Sequence, residues 1–88
     1  WGLGINEMSV VIYTKPHCPY CERAIEHYKT NGIPFTEFDA QNDPEHQRRM
    51  LEVSNGDPTV PCFVEDGVFV SSGWGDPARG CVIVPESA

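Results

Sequence analysis

Eighty-eight residues make one small domain, large enough for a single core and with little stability to spare. With 13 acidic against 6 basic side chains the formal charge is −7, which repels a nucleic-acid backbone unless the cations cluster, and Arg48-Arg49 is the only adjacent basic pair. No apolar run is long enough to span a bilayer, and the start lacks the charged and apolar regions of a secretory signal. The expectation is a cytoplasmic protein with no nucleic-acid and no membrane partner.

Residues 1–8 show no helical or strand period and read as an N-terminal extension or a cloning remnant, ahead of a domain over 9–75 and an irregular segment over 76–88. Val10-Val11-Ile12-Tyr13 is a continuous, mostly β-branched apolar run, the pattern of a central strand covered on both faces. Lys15-Pro16-His17-Cys18-Pro19-Tyr20-Cys21 follows and opens a helix on which Ala24, Ile25 and Tyr28 form one apolar stripe. Asn31-Gly32 ends this helix and Pro34 blocks its continuation.

Phe35 to Asp39 is a second strand, parallel to the first because a helix joins them by a right-handed crossover. Asp43-Pro44-Glu45 supplies an N-cap, a proline at the first helical position and an acidic first turn. Met50, Leu51 and Val53 form the thin apolar side of this second helix, and Asn55-Gly56 stops it. Cys62-Phe63-Val64 and Val68-Phe69-Val70 flank an Asp-Gly turn, a strong hairpin signal. The expected order is β-α-β-α-β-β in an α/β fold with a four-stranded mixed sheet.

The chemistry lies where the first strand turns into the first helix. A thiol at a helix N-terminus meets unpaired backbone N–H groups and the positive end of the macrodipole, both of which favour its thiolate. Cys18 takes the N-cap, and Pro19 takes the first helical position without removing a helix bond. Cys21 falls in the first turn, near enough for a disulfide if the backbone allows. A zinc ribbon would need a second close cysteine pair, whereas Cys62 and Cys81 are far apart, so no metal is expected.

The string Tyr13-Thr14-Lys15, then Cys18-Pro19-Tyr20-Cys21, then Thr59-Val60-Pro61 resembles the glutaredoxin family, with two motifs in the right order and a likeness running from Ser9 to Gly75. The resemblance implies a thioredoxin-like fold, a cis Pro61, and glutathione as co-substrate. It implies Cys18 as nucleophile and Cys21 as resolving thiol. Lys15 would pair with the glycine carboxylate of glutathione and Tyr20 would border the site with its ring. The backbone of Thr59-Val60-Pro61 would pair with the cysteinyl part like a short added strand, and Asp76 would meet the γ-glutamyl end. Gly73-Trp74-Gly75-Asp76 departs from the family's Gly-Gly turn by an inserted Trp.

A second departure follows the hairpin. The family places a further helix there, on the sheet face that carries the first helix, but Ser71 to Pro85 is too rich in Gly and Pro for one. The bare face is expected to be covered by Trp74, by Cys81 to Val84, or by a partner subunit, and Cys81-Val82-Ile83-Val84 also reads as an edge strand. Cys62 reads as a small buried hydrophobe. Three fates stay open for Cys81: pairing with Cys62, an intermolecular disulfide, or a free thiol. His27 and His46 are expected on solvated helix faces.

The function expected is a glutathione-dependent thiol-disulfide oxidoreductase, acting on disulfide-containing or glutathionylated proteins as a monomer or weak dimer. The alternatives are a redoxin recycled by a flavoprotein disulfide reductase and a glutathione-assisted iron-sulfur cluster module.

Overall fold

The computed structural model describes residues 10–75 and 77–84. Strand β1 (Val10–Thr14) leads through helix α1 (Pro19–Thr30) to strand β2 (Thr36–Asp39), which lies parallel to β1 with Val11 opposite Thr36 and Thr14 opposite Asp39. Helix α2 (Pro44–Val53) begins at an Asp43 whose side chain accepts from the Glu45 and His46 N–H groups, at 3.0 and 3.3 Å. This satisfies two of the donors that a helix start leaves unpaired.

The chain then forms strands β3 (Thr59–Val60), β4 (Cys62–Glu65) and β5 (Val68–Ser72). Strand β4 runs antiparallel to β1, and β5 antiparallel to β4. Asp66 and Gly67 join β4 to β5 with φ of 52° and 79°. Two successive positive φ values give a two-residue turn whose twist matches that of the strands it joins. The sheet order is β2-β1-β4-β5, so β1 is interior and the sheet is mixed.

The last strand, β6 (Cys81–Val82), pairs antiparallel with β3 in a separate two-stranded sheet, Thr59 opposite Val82 and Val60 opposite Cys81. The expected edge strand at Cys81–Val84 forms at Cys81–Val82, and its partner is β3 and not the main sheet.

The core divides between the two faces of the sheet. Ile12, Ala24 and Phe63 are buried on the α1 side with Val10, Ile25, Tyr28, Phe35 and Trp74 packed around them. Tyr13, Met50, Val64 and Ala40 are buried on the α2 side together with Cys18, Cys21, Val60, Cys62 and Ile83. The face that lacks a third helix is thus closed by Trp74, whose ring centroid lies 6.0 Å from Phe63 and 5.2 Å from His27. Two backbone hydrogen bonds hold Trp74 in place, from its N–H to the Arg79 carbonyl at 2.7 Å and from the Arg79 N–H to its carbonyl at 3.0 Å.

His46 differs from expectation. It is half-buried and stacks on Phe38 at 4.0 Å between centroids and 13° between planes. The first turn of α2 lies over the end of β2, and an imidazole's flat face covers an aromatic ring there while its edge reaches Asp43 at 3.6 Å.

Candidate active site

The turn from β1 into α1 sets the site. His17 takes φ of 63°, a left-handed conformation that reverses the chain so that Cys18 enters α1 as its N-cap, in an extended conformation. The Cys18 carbonyl accepts the Glu22 N–H at 3.1 Å, while its side chain makes no capping hydrogen bond. The sulfur is therefore left for chemistry, at the end of a helix where backbone N–H groups converge.

Cys18 is fully buried, and its sulfur is bonded to Cys81, 63 residues away in sequence, with the Cα atoms 6.1 Å apart. None of the three fates left open for Cys81 holds in this structure. Pairing with Cys62 fails because Cys62 lies in β4 and Cys81 lies against β3, whose Val60 stands opposite it. Cys21 and Cys62 are free thiols, 3% and 0% exposed. Burial pushes the Cys21 thiol up to about 11, with a backbone hydrogen bond to Lys15 opposing and the Glu37 charge adding to the rise. Burial pushes Cys62 up to about 12, and the charge of Asp57 adds to it.

The residues around Cys18 form a groove, and the chain's own C-terminal segment fills it. The Val60-Pro61 peptide is cis, and Val60 is fully buried opposite Cys81. Thr59 is held from below by Asp57, whose carboxylate accepts the Thr59 N–H at 3.0 Å and the Ser72 hydroxyl at 3.2 Å. Hydrogen bonding from the Thr59 hydroxyl first, then from its N–H and from Ser72, keeps the Asp57 carboxyl below the usual carboxylate range against the effect of burial. Half-buried Lys15 donates from Nζ to the Val82 carbonyl at 3.1 Å. Half-buried Tyr20 lies at the start of α1 with the Arg23 guanidinium 5.7 Å from its ring centroid. The structure thus gathers Cys18, Lys15, Thr59 and Val60 around one segment. Asp76 lies outside the described residues.

Gln41 and Gly80 carry no reading in the sequence, and Ile83 and Cys81 carry none that gives them their partners. The Ile83 N–H donates to the Pro58 carbonyl at 3.0 Å, and its side chain is 1% exposed. The Gln41 side-chain amide pairs with the backbone of Val84 in both directions at 2.8 Å. At Gly80 any side chain would run into the Val60 carbonyl oxygen and the Thr59 methyl group. Cys81 was noticed without a partner. The signal that was present is the order small, thiol, aliphatic in Gly80-Cys81-Val82-Ile83, which suits an extended segment laid against another strand.

Among the described residues no helix is long and apolar enough to cross a membrane. The sheet order, the helix on each side and the C-x-x-C thiols at the start of α1 define a thioredoxin-like protein with a dithiol motif. A solved thioredoxin-like protein, BC3987, superposes with a TM-score of 0.66 at 30% identity, over 78% of this chain and 92% of that one. The solution structure of a glutaredoxin from Brucella melitensis gives 0.59 at 37% identity, over 78% and 75%. Glutaredoxin 3 of Escherichia coli is 38% identical over 62 residues, 70% of this chain and 74% of that protein. The glutaredoxin family model matches residues 10–70, and the chain belongs to the glutaredoxin family. It spans 47 to 66% of the length of the curated relatives it matches from Synechocystis, Arabidopsis thaliana and a mimivirus. The match ends before the segment that fills the groove.

Proposed function

We propose that the protein is a thiol-disulfide oxidoreductase that reduces glutathione mixed disulfides and protein disulfides, with glutathione as electron donor and Cys18 as nucleophile. The observation that carries this reading is that an extended, cysteine-bearing segment lies antiparallel to Thr59–Val60 with its sulfur bonded to Cys18. That is the arrangement a mixed disulfide requires, and here the chain itself supplies the partner. The family membership supports the same class of chemistry.

In the proposed reaction the Cys18 thiolate, favoured by the α1 N-terminus, attacks one sulfur of a substrate disulfide and expels the other as a thiolate. Glutathione then attacks the mixed disulfide, or a second thiol of the chain does, for which Cys21 is the candidate that the motif offers. Lys15 takes the glycine carboxylate of glutathione. Val82, whose carbonyl Lys15 holds, follows Cys81 by one residue, as glycine follows cysteine in glutathione. The backbone of Val60, before cis Pro61, takes the cysteinyl part, and Tyr20 borders it. Asp76 is assigned to the γ-glutamyl amine. The protein acts as a monomer or weak dimer in the cytoplasm and needs no metal for this chemistry.

The test is turnover of a small glutathione mixed disulfide with glutathione and glutathione reductase recycling the donor. Saturable turnover that Cys18→Ser abolishes is expected. Wild-type turnover in Cys18→Ser would overturn the mechanism, and turnover supported only by a flavoprotein disulfide reductase would overturn glutathione as donor.

A further inference from the structure

We propose that Cys81 is the resolving thiol of Cys18, delivered into the groove by residues 80–84 acting as a tethered substrate strand. The proposal rests on Cys18 being the nucleophile, as argued above.

Four independent contacts dock this strand, and none of them involves a sulfur. Strand β6 pairs with β3, the Ile83 N–H bonds the Pro58 carbonyl, Lys15 bonds the Val82 carbonyl, and Gln41 pairs with Val84. Ile83 is buried among Tyr13, Met50 and Val64, so the strand is anchored in the α2-side core two residues beyond the thiol. Gly80 leaves the Val60 carbonyl clear, which lets the segment approach closely just before the thiol. A thiol held this way meets Cys18 at a high effective concentration, as a linked second site does.

The motif's own second thiol is placed less well. Cys21 is buried within α1, and burial pushes it up to about 11. Relative to a thiol near 9.0 it carries about a hundredfold less thiolate near neutral pH, and its greater intrinsic nucleophilicity recovers only about tenfold. Attack by Cys21 is therefore slowed by about tenfold from this cause alone.

The electrons balance as follows. The Cys18 thiolate attacks a substrate disulfide, forms Cys18–S–S–R and releases one substrate thiolate. The Cys81 thiolate attacks Cys18 Sγ, breaks the bond to R and leaves Cys18–Cys81, with R released as the second thiolate. The substrate gains two electrons and the two protons given up by Cys18 and Cys81. Two glutathione molecules then reduce Cys18–Cys81 by two successive exchanges and leave as oxidised glutathione. The oxidised product is closed, because β6 fills the groove that the next substrate needs.

The experiment treats the fully reduced protein with one equivalent of oxidised glutathione, quenches with acid at intervals, and maps the disulfides by peptide mass. Wild type is expected to form Cys18–Cys81 through a brief Cys18-glutathione adduct. Cys81→Ser is expected to hold that adduct at least about tenfold longer, the deficit left to Cys21. It also slows protein-disulfide reduction about tenfold while keeping glutathione-resolved turnover of a small mixed disulfide, a split that loss of packing does not produce. Wild type yielding Cys18–Cys21, or an adduct released from Cys81→Ser at the wild-type rate, would overturn the proposal. The wild-type map decides even where Cys81→Ser fails to fold. Failure of the functional reading looks different, since Cys18 then forms no adduct in any variant.

Discussion

The segment after the hairpin has two halves that lie on opposite faces of the sheet. The Trp74–Arg79 backbone pair clamps the start of this segment and puts one indole on the α1 side. Residues 80–84, with β6 at Cys81–Val82, lie on the other side, with a thiol on Cys18 and Ile83 in the α2-side core. The first half closes the α1-side face with a single side chain, an indole set against Phe63 and His27. The second half is placed by its pairing with β3 and by Ile83 in the core. A missing element can thus leave its packing role to one residue and free the rest of the chain for the site.

If the halves are separable, substitutions should divide between stability and redox behaviour. Trp74→Ala is the largest expected stability change, about 2 kcal/mol for a half-exposed aromatic and so about 10 °C in Tm by thermal melts. Its rate of Cys18–Cys81 formation should stay within about twofold, as for sites that do not share partners. A large change in that rate would join the two halves into one unit.

Gly80→Ala puts a methyl group against the Val60 carbonyl. Overpacking of this kind costs about 1–3 kcal/mol and should undock β6, lowering the yield of Cys18–Cys81 about tenfold in a glutathione redox buffer. Unchanged yield would mean that the strand is not placed by close approach to β3.

Both pH limits should fall on the second half's side of the sheet. Cys21 and Cys62 titrate above their ordinary value in the folded protein, so the stability they contribute is full below about 9. It is lost as pH rises towards 11 and then 12. Asp57 is held below the ordinary 3.8, so its contribution is present above that value and lost as pH falls through the folded one. Urea midpoints across pH check both arms, and Cys62→Ala should flatten the alkaline one. The smallest effect expected is at Lys15, whose bond to Val82 is exposed. Lys15→Met should raise KM for glutathione a few-fold, about 1 kcal/mol, and leave Tm nearly unchanged.

Local pattern carried most of the fold. The β-branched run of β1, the capped start of α2 and the Asp-Gly turn each rest on neighbouring residues, and each lies where the sequence put it. The placement of Cys18 at the α1 N-cap was legible for the same reason. The partner of Cys81 was not, since connectivity between distant cysteines is a tertiary fact. Strands β3 and β6 have two residues each, too few for any periodicity, and they exist because each gives the other an edge to pair with. Gln41 follows a strand with no feature that announces its bond to Val84 forty-three residues on.

The central claim is that Cys18, at the α1 N-terminus, attacks the substrate disulfide and Cys81 resolves it, while the raised thiols Cys21 and Cys62 carry little thiolate. Timed alkylation of the reduced protein at neutral pH, resolved residue by residue by peptide mass, tests it directly. Cys18 should label at least about a hundredfold faster than Cys21 or Cys62, given how little thiolate the buried pair carries. Labelling of Cys21 or Cys62 as fast as Cys18 would contradict the account.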